Sequence, residues 1–515
     1  MRKLKVGVID VVAKSPSNRW YARAMRANLA SIMPQVVAIW CQQEGHEVHL
    51  AYRNGYQEMI EPLPDDLDVV FISAFTPSAH LSYALSNYYR SKGAVTVLGG
   101  PHARCYPEDA AKYFDYVLGF TDKEIVRDVL QNCEPQRPVG VCLAANSQPE
   151  SLPGVEERWP YVERLLREAP MIKIVPMIGS LGCPYTCAFC VDSVVKYQPL
   201  DFDVMKSDLR FLMTKMKRPI VGWHDPNFGV RFNDYMGAIE EAIPPDSIDF
   251  IAESTLSLLS ESNVQRMRRN GFKVILPGIE SWFDMGNKSK TGKTVGEEKV
   301  DRISEQVNMI LRHMTYLQAN FVNGLDSDEG ELPFDLTKSF LDKAPGSFPA
   351  FSMLTSFGRS APLNLMYQQQ DRLIPVPFHF LDNNAAMNVR PKNYTWPEFY
   401  DNMIKLHEHA FSKKAIYRRF RANTGRIPKM MNVLRAISME GWGKIEHFKK
   451  IRTRLDEDRQ FRAFFEQETT EVPDFFTEKI KRDLGPMWDW LPEGAMFHDP
   501  HAYMKSEMKT TAGAA

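Results

Sequence analysis

Gly182-Cys183-Pro184-Tyr185-Thr186-Cys187-Ala188-Phe189-Cys190 is the stretch that decides how this chain is read. It is a C-x3-C-x2-C triplet and takes three of the 7 cysteines in 515 residues. Three thiolates in one short loop can hold a metal. They are one too few for a closed tetrahedral zinc site or for the four-thiolate set of a cubane cluster. A cluster held by three cysteines keeps one iron open, and an open iron can bind and reduce a ligand. The triplet therefore reads as a chemical site rather than a staple. Zinc with a fourth ligand from a distant His stays open as an alternative, as do three thiols buried as small apolar groups. Disulfides are disfavoured by the odd cysteine count and by the chain's length. The opening residues Met1–Asp10 agree, since their apolar run stops at Asp10 and reads as a first strand rather than a secretory signal.

With Phe189 before the third cysteine, the pattern Cys-x3-Cys-x-aromatic-Cys resembles the signature of the radical SAM superfamily. The resemblance implies a [4Fe–4S] cluster on Cys183, Cys187 and Cys190, with S-adenosylmethionine (SAM) chelated by the fourth iron. Phe189 then packs near the adenine. One electron from the reduced cluster breaks the sulfonium bond, and the 5′-deoxyadenosyl radical removes hydrogen from an unactivated carbon. The cofactors carry that chemistry, while the protein orients substrate and excludes water.

The residues around the loop read as strand–helix repeats. Strand candidates are Ile174–Ile178, Pro219–Asp225, Ile248–Glu253, Lys273–Ser281 and Tyr316–Val322, with helices at Met205–Lys215, Asn263–Arg269 and Glu297–Met314. This is the order of a partial (β/α)6 barrel, whose chemistry sits at the carboxyl ends of its strands. The SAM ammonium and ribose want carboxylates and small polar groups there. By the resemblance, the candidates are Asp225, Glu253, the Glu280-Ser281 pair of a Gly-Ile-Glu-Ser motif, and Gly324.

Ahead of the barrel, strands at Lys5–Ile9, Glu47–Tyr52, Asp68–Ser73, Ala94–Leu98 and Tyr116–Gly119 alternate with helices at Met33–Glu44 and His80–Ser91. That alternation predicts a doubly wound parallel sheet with ligands beyond its strand ends. This half resembles the cobalamin-binding domain found before many radical SAM domains, through Gly45-His46-Glu47-Val48, Ile72-Ser73 with Thr76, and Gly99-Gly100-Pro101-His102. The resemblance makes Ser73, Thr76, Gly99, Gly100 and Gly119 cobalamin contacts. It departs at Gly119-Phe120-Thr121-Asp122-Lys123-Glu124, and no Asp-x-His-x-x-Gly motif offers a histidine to cobalt.

The expected organisation is α/β: a cobalamin-binding-like domain over 1–140, a connector over 141–170, a radical SAM barrel over 171–360 and a helical domain over 361–515. Within the connector, Pro160–Glu168 reads as a short helix with Pro160 at its first position. In the last domain, Pro397–Phe420 and Lys429–Lys449 read as helices and Lys509–Ala515 as an unstructured tail. Asn388-Val389-Arg390-Pro391, Trp396 and Tyr417–Phe420 resemble the tail of the group that holds the anaerobic magnesium-protoporphyrin cyclase and the hopanoid methylases.

Charge and hydropathy exclude some partners. A formal net charge of −1 gives no field for nucleic acid, and no apolar run is long enough to span a membrane. A reducing, cytoplasmic setting fits the thiols and an oxygen-sensitive cluster. The expected activity is cobalamin-dependent C-methylation of a small or lipid-like metabolite, with an electron donor such as flavodoxin or ferredoxin. Cyclisation, oxidation or coupling without methyl transfer is the alternative within the radical class. A non-catalytic metal- or cluster-binding protein is the alternative outside it.

Overall fold

The structure, a computed structural model, describes residues 2–12, 31–54, 63–169, 172–283 and 294–502. The tail Lys509–Ala515 lies outside the described residues. Two six-stranded parallel sheets organise the chain, as the strand–helix alternation predicts.

The first sheet is built from β1 (Lys5–Val12), β2 (Glu47–Asn54), β3 (Val69–Ala74), β4 (Val95–Gly99), β5 (Tyr116–Leu118) and β6 (Val141–Leu143). Its order, β2-β1-β3-β4-β5-β6, reverses direction between β1 and β3, which places a ligand crevice beyond their carboxyl ends. The helices α1 (Ile32–Gln43) and α2 (Ala79–Ser91) cover it, and the short α3 (Pro101–Cys105) follows β4 directly. β6 was not expected. Its three residues are half-exposed to exposed and too short to carry a pattern, yet they pair in parallel with β5.

The connector helix α4 spans Val155–Glu168, so Pro160 is inside it and not at its start. The cap comes from far away. Val155 N donates to Asp208 Oδ1 at 2.7 Å, and Glu157 Oε2 accepts from Gly154 N at 3.0 Å. Asp208 meets the first turn where a carboxylate is favoured.

The second sheet runs β14-β13-β12-β11-β10-β7, all parallel, an open (β/α)6 barrel. Its strands are β7 (Ile174–Met177), β10 (Ile220–Trp223), β11 (Asp249–Thr255), β12 (Phe272–Glu280), β13 (Tyr316–Asn323) and β14 (Phe348–Met353). A two-residue hairpin of β8 (Ser180–Leu181) and β9 (Gln198–Pro199) flanks the cysteine loop. Along β13, Leu317, Ala319, Phe321 and Asn323 are buried while their neighbours are half-exposed, which separates the helix-covered face from the barrel face. One continuous core lies under the barrel helices, one face of the first sheet and the C-terminal helices. A second core covers the first sheet's other face.

Beyond the barrel, the two long helices expected from the sequence are four. They are α5 (Trp396–Ala410), α6 (Lys413–Ala422), α7 (Arg426–Ile437) and α8 (Trp442–Glu457). Ser412 breaks the first, its Oγ accepting from Ala415 N at 3.1 Å as an N-cap. Gly441, at φ −111° and ψ −94°, breaks the second. The end of the described chain returns to the first domain, where Asn87 Nδ2 donates to Trp490 O at 2.9 Å and Trp490 packs edge-on to Tyr88.

Candidate active site

The cysteine loop leaves β7 at the carboxyl end of the barrel. Gly182, at φ +68°, turns the chain into Cys183, and a Cβ there would stand 2.6 Å from Lys196 O and 2.7 Å from Val195 O. Only glycine fits that turn. Cys190 N donates to Cys187 O at 2.9 Å, and the Ser193 hydroxyl donates to Cys190 O at 2.7 Å, so the last two cysteines share one tight turn. Cys187 is buried, Cys183 and Cys190 are half-buried, and no cysteine is disulfide-bonded. Among the described residues no three His, Cys, Asp or Glu side chains form a ready metal-ligating group.

Asp225 anchors the base of the loop. It is 2% exposed, and its oxygens accept from Gly179 N at 2.9 Å, Ser180 Oγ at 2.6 Å and Tyr235 Oη at 2.6 Å. Gly179 makes room for this contact, since a Cβ there would meet the Tyr235 ring at 2.5 Å. Burial raises the Asp225 pKa, and the Ser180, Tyr235 and Gly179 donors oppose it. The neighbouring His224 keeps an exposed edge at the strand end, while the protein crowded around its ring and then Arg158 lower its pKa to about 4. On the far side, Tyr185 Oη lies 3.2 Å from Ser257 Oγ, which ties the loop to the end of β11.

Glu253 is exposed on the face opposite core-packed Ala252, and it pairs in register with Leu276 of β12. On that same face of β12 stands Gly278, where a Cβ would lie 2.2 Å from Glu280 Oε1. The Glu280 carboxylate thus folds back over a glycine, and Glu280 takes φ +66° at a register shift between Gly278 and Glu280. A non-glycine residue in that region is costly, and such strain gathers at functional sites. Ser281 is buried, its Oγ accepting from Phe283 N at 3.1 Å while its carbonyl accepts from buried Lys299 at 2.7 Å. Gly324, at φ +86°, donates to Asp328 Oδ2 at 2.9 Å and packs against Met387 and Phe399. Its close approach is to the C-terminal region.

In the first sheet Ser73 and Gly99 are register partners at the strand ends. A Cβ on Gly99 would meet nothing within 4 Å, whereas one on Gly100 would strike Ala74 O at 2.8 Å. Gly99 therefore leaves open space, and Gly100 packs the sheet. Thr76 is buried, Gly119 half-buried, and Phe75 between the β3 end and Thr76 is 47% exposed. His102 is turned away, its Nε2 2.7 Å from Tyr83 Oη. The two sheets meet at these ends. Arg359 N donates to Cys105 O at 3.2 Å, Tyr106 Oη to Ser356 O at 3.3 Å, and Arg359 pairs with Glu108. Arg104 pairs at 3.5 Å with Asp192, just past the cysteines. The segments after β4, β7 and β14 thus converge, and the carboxyl ends of both sheets open on common ground.

No family model matches the chain. It is 21% identical over 368 residues to the bacteriochlorophyllide d C-12(1)-methyltransferase of Chlorobaculum tepidum, covering 70% of this chain and 78% of that protein. It is 23% identical over 398 residues to the bacteriochlorophyllide d C-8(2)-methyltransferase of the same bacterium, covering 73% and 84%. Among solved structures it superimposes on the cobalamin-dependent SAM radical enzyme OxsB with a TM-score of 0.55 at 12% identity, over 95% of this chain and 80% of that one. It also superimposes on the radical SAM methyltransferase TsrM from Kitasatospora setae, solved with cobalamin and a [4Fe–4S] cluster, with a TM-score of 0.51 at 12% identity over 72% and 78%. The chain has the fold of the cobalamin-type radical SAM enzymes.

The resemblance read from the cysteine motif is thereby borne out. Within this radical SAM fold, the loop, Asp225, Glu253 and Glu280 gather at one end of the barrel, while Gly324 lies against the C-terminal helices. Phe189 is half-buried and packs on the core. Sequence reasoning missed Tyr235, Ser180 and Tyr185, which hold the loop, and Arg104 and Arg359, which hold the domains together. No local motif marks them, because each finds its partner through the fold. The donor set fits a three-thiolate cluster, since the other four cysteines lie in the first sheet and the segments that cover it. The open side of Gly99 fits a bulky ligand at the first sheet.

Proposed function

We propose that this chain is a radical SAM methyltransferase that carries a [4Fe–4S] cluster on Cys183, Cys187 and Cys190 and binds cobalamin at the ends of β3 and β4. Its substrate is a small or lipid-like molecule with an unactivated carbon. The observation that carries the reading is the place of the cysteine loop, at the carboxyl end of β7 where the ends of both sheets converge. Once bound, the cluster supplies the electron that cleaves SAM, and the corrinoid supplies the methyl group.

The chain's own residues bind and orient. Glu280, held over Gly278, and Glu253 on the adjoining strand offer carboxylates to the SAM ammonium and ribose. Phe189 offers a ring to the adenine. Asp225 acts one step back by fixing Gly179 and Ser180, the backbone that feeds the first cysteine. Ser73, Thr76, Gly99 and Gly119 border the corrinoid space, with Gly100 letting the chain after β4 lie close on Ala74, and His102 of the same run is committed to Tyr83. A flavodoxin- or ferredoxin-like donor would supply electrons. The curated relatives act on bacteriochlorophyllide d by name. That supports methyl transfer over cyclisation, and it favours a substrate with a large apolar body.

Anaerobic purification with an absorption spectrum and iron analysis tests the reading. The expected result is about four irons per chain, a corrinoid band, and methionine release from SAM on reduction. A Cys187→Ala variant should lose the iron and the SAM cleavage together. Intact iron with no corrinoid binding would leave radical chemistry without this methyl carrier.

A further inference from the structure

The α6–α7 hairpin presents a surface that the proposed chemistry does not use. Residues 411–439 hold eight basic side chains and no acidic one, in a protein whose net charge is −1. Three of the eight are committed to the protein. Arg419 is buried and donates to Ser347 O, Arg435 reaches Tyr316 and Gln318, and Arg418 pairs with Asp342. Lys413, Lys414, Arg421, Arg426 and Lys429 make no ion pair among the described residues. Four of these five are exposed, and Lys429 is half-exposed with its ammonium 5.0 Å from the Phe420 ring.

Apolar side chains stand among these cations. On α7, Ile427 is 71% exposed, Met430 46% and Ile437 44%, with half-exposed Leu434 between them. Their spacing of three, four and three residues makes one stripe about 15 Å long on a single helix face. On α6, Tyr417 is 63% exposed, and Phe420 continues the stripe toward Lys429. Trp442, at the start of α8, is 42% exposed although its Nε1 donates to Phe411 O at 2.9 Å. The indole is thus held by its polar edge with its ring outward.

We propose that this hairpin docks the protein on an anionic lipid bilayer surface. An aliphatic stripe with tyrosine and tryptophan at its margins and lysine and arginine around it is the composition of a helix that lies in the membrane interface. A second copy of the chain is the wrong occupant, because a two-fold contact would set these unpaired cations against themselves. A protein partner is a weaker match, because lysine is depleted from protein interfaces and three of the five cations are lysines. The docked orientation follows from what the hairpin rests on. Arg419, Asn423 and Arg435 bond Ser347, Gly346 and Tyr316, all at or before the starts of β13 and β14. The hairpin sits at the end of the barrel opposite the cysteine loop, so the bilayer would hold the mouth facing water.

Co-sedimentation of the full-length protein with vesicles tests this, using phosphatidylcholine alone and phosphatidylcholine with a quarter phosphatidylglycerol. Binding is expected to the anionic vesicles alone and should weaken with salt. Each Lys→Gln or Arg→Gln change among the five cations should weaken it about fivefold. Ile427→Glu with Met430→Glu should abolish it, with thermal melting unchanged because both side chains are exposed. Absence of binding to anionic vesicles would overturn the proposal. So would binding that these variants leave intact, or a concentration-dependent dimer that they abolish. Iron content and SAM cleavage should be the same in all variants, so failure here leaves the radical reading untouched, and the reverse also holds.

Discussion

At the scale of residues, one glycine decides how the carboxylate at the barrel mouth lies. Gly278 is the floor on which the Glu280 carboxylate lies, and a methyl group there would stand 2.2 Å from Oε1. Gly278→Ala should therefore swing that carboxylate away and weaken SAM binding about tenfold, a loss of about 1.4 kcal/mol, as titration calorimetry on the reconstituted protein would read. Glu280→Gly separates function from stability. It removes the carboxylate, yet it relieves a left-handed backbone worth about 1 kcal/mol, so SAM affinity should fall with no loss of melting temperature. A parallel loss of both would mean that Glu280 is structural. Asp225 makes the opposite case. Its three donors lie inside the fold, so Tyr235→Phe should cost about 1.5–3 kcal/mol, the range for a hydrogen bond to a charged group. Denaturant unfolding would measure that cost. Iron content should fall with it, because the loop's base has lost one of its three ties.

At the scale of elements, what could be read from sequence followed from local pattern. Apolar runs alternating with helical periodicity marked both sheets, and the C-x3-C-x2-C spacing marked the loop. Gly278-Ile279-Glu280-Ser281 was legible as a motif, although its physical reason, a carboxylate lying over a glycine, needed coordinates. Contacts made at long range stayed hidden. Nothing near Asp225 announces that Tyr235 will lie across it, and Pro160 looked like a helix start because the real cap, Asp208, is 53 positions from the Val155 amide it accepts from. Gly154 belongs to the same unreadable set. A Cβ there would stand 2.5 Å from Asp208 Oδ1. Gly154→Ala should push Asp208 off the first turn of α4, costing about 1–3 kcal/mol from overpacking. Hydrogen exchange should quicken first at the amides of Val155 and Glu156. Uniform exchange along the helix would show that the cap does not control its start.

At the scale of the whole molecule, the end of the described chain is pinned to the first domain through aromatic rings and imidazoles. His498 stacks on Phe378 at 4.1 Å, and His102 and Tyr106 meet the same ring at 4.8 and 4.6 Å. Burial lowers the pKa of His102 and His498 to about 3, and that of His407 in α5 to about 3 as well. Each folded value lies below the unfolded one, so the stability these groups lend is complete above about pH 6.5 and drains as the pH falls toward 3. Asp10 and Asp328 act in the other direction. Burial lifts each to about 6, so the folded state takes their protons first as the pH drops. At pH 5, four histidines, these three and His224, stand against two carboxylates, so the unfolded chain holds more protons and stability should fall as the pH drops from 6 to 5. His498→Phe keeps a ring on Phe378 and removes one of the four. Denaturant unfolding from pH 6 to pH 5 should then slope less for the variant than for the parent, by about 1.4 kcal/mol per pH unit, the worth of one proton. Equal slopes would place the acid sensitivity elsewhere than in this seam.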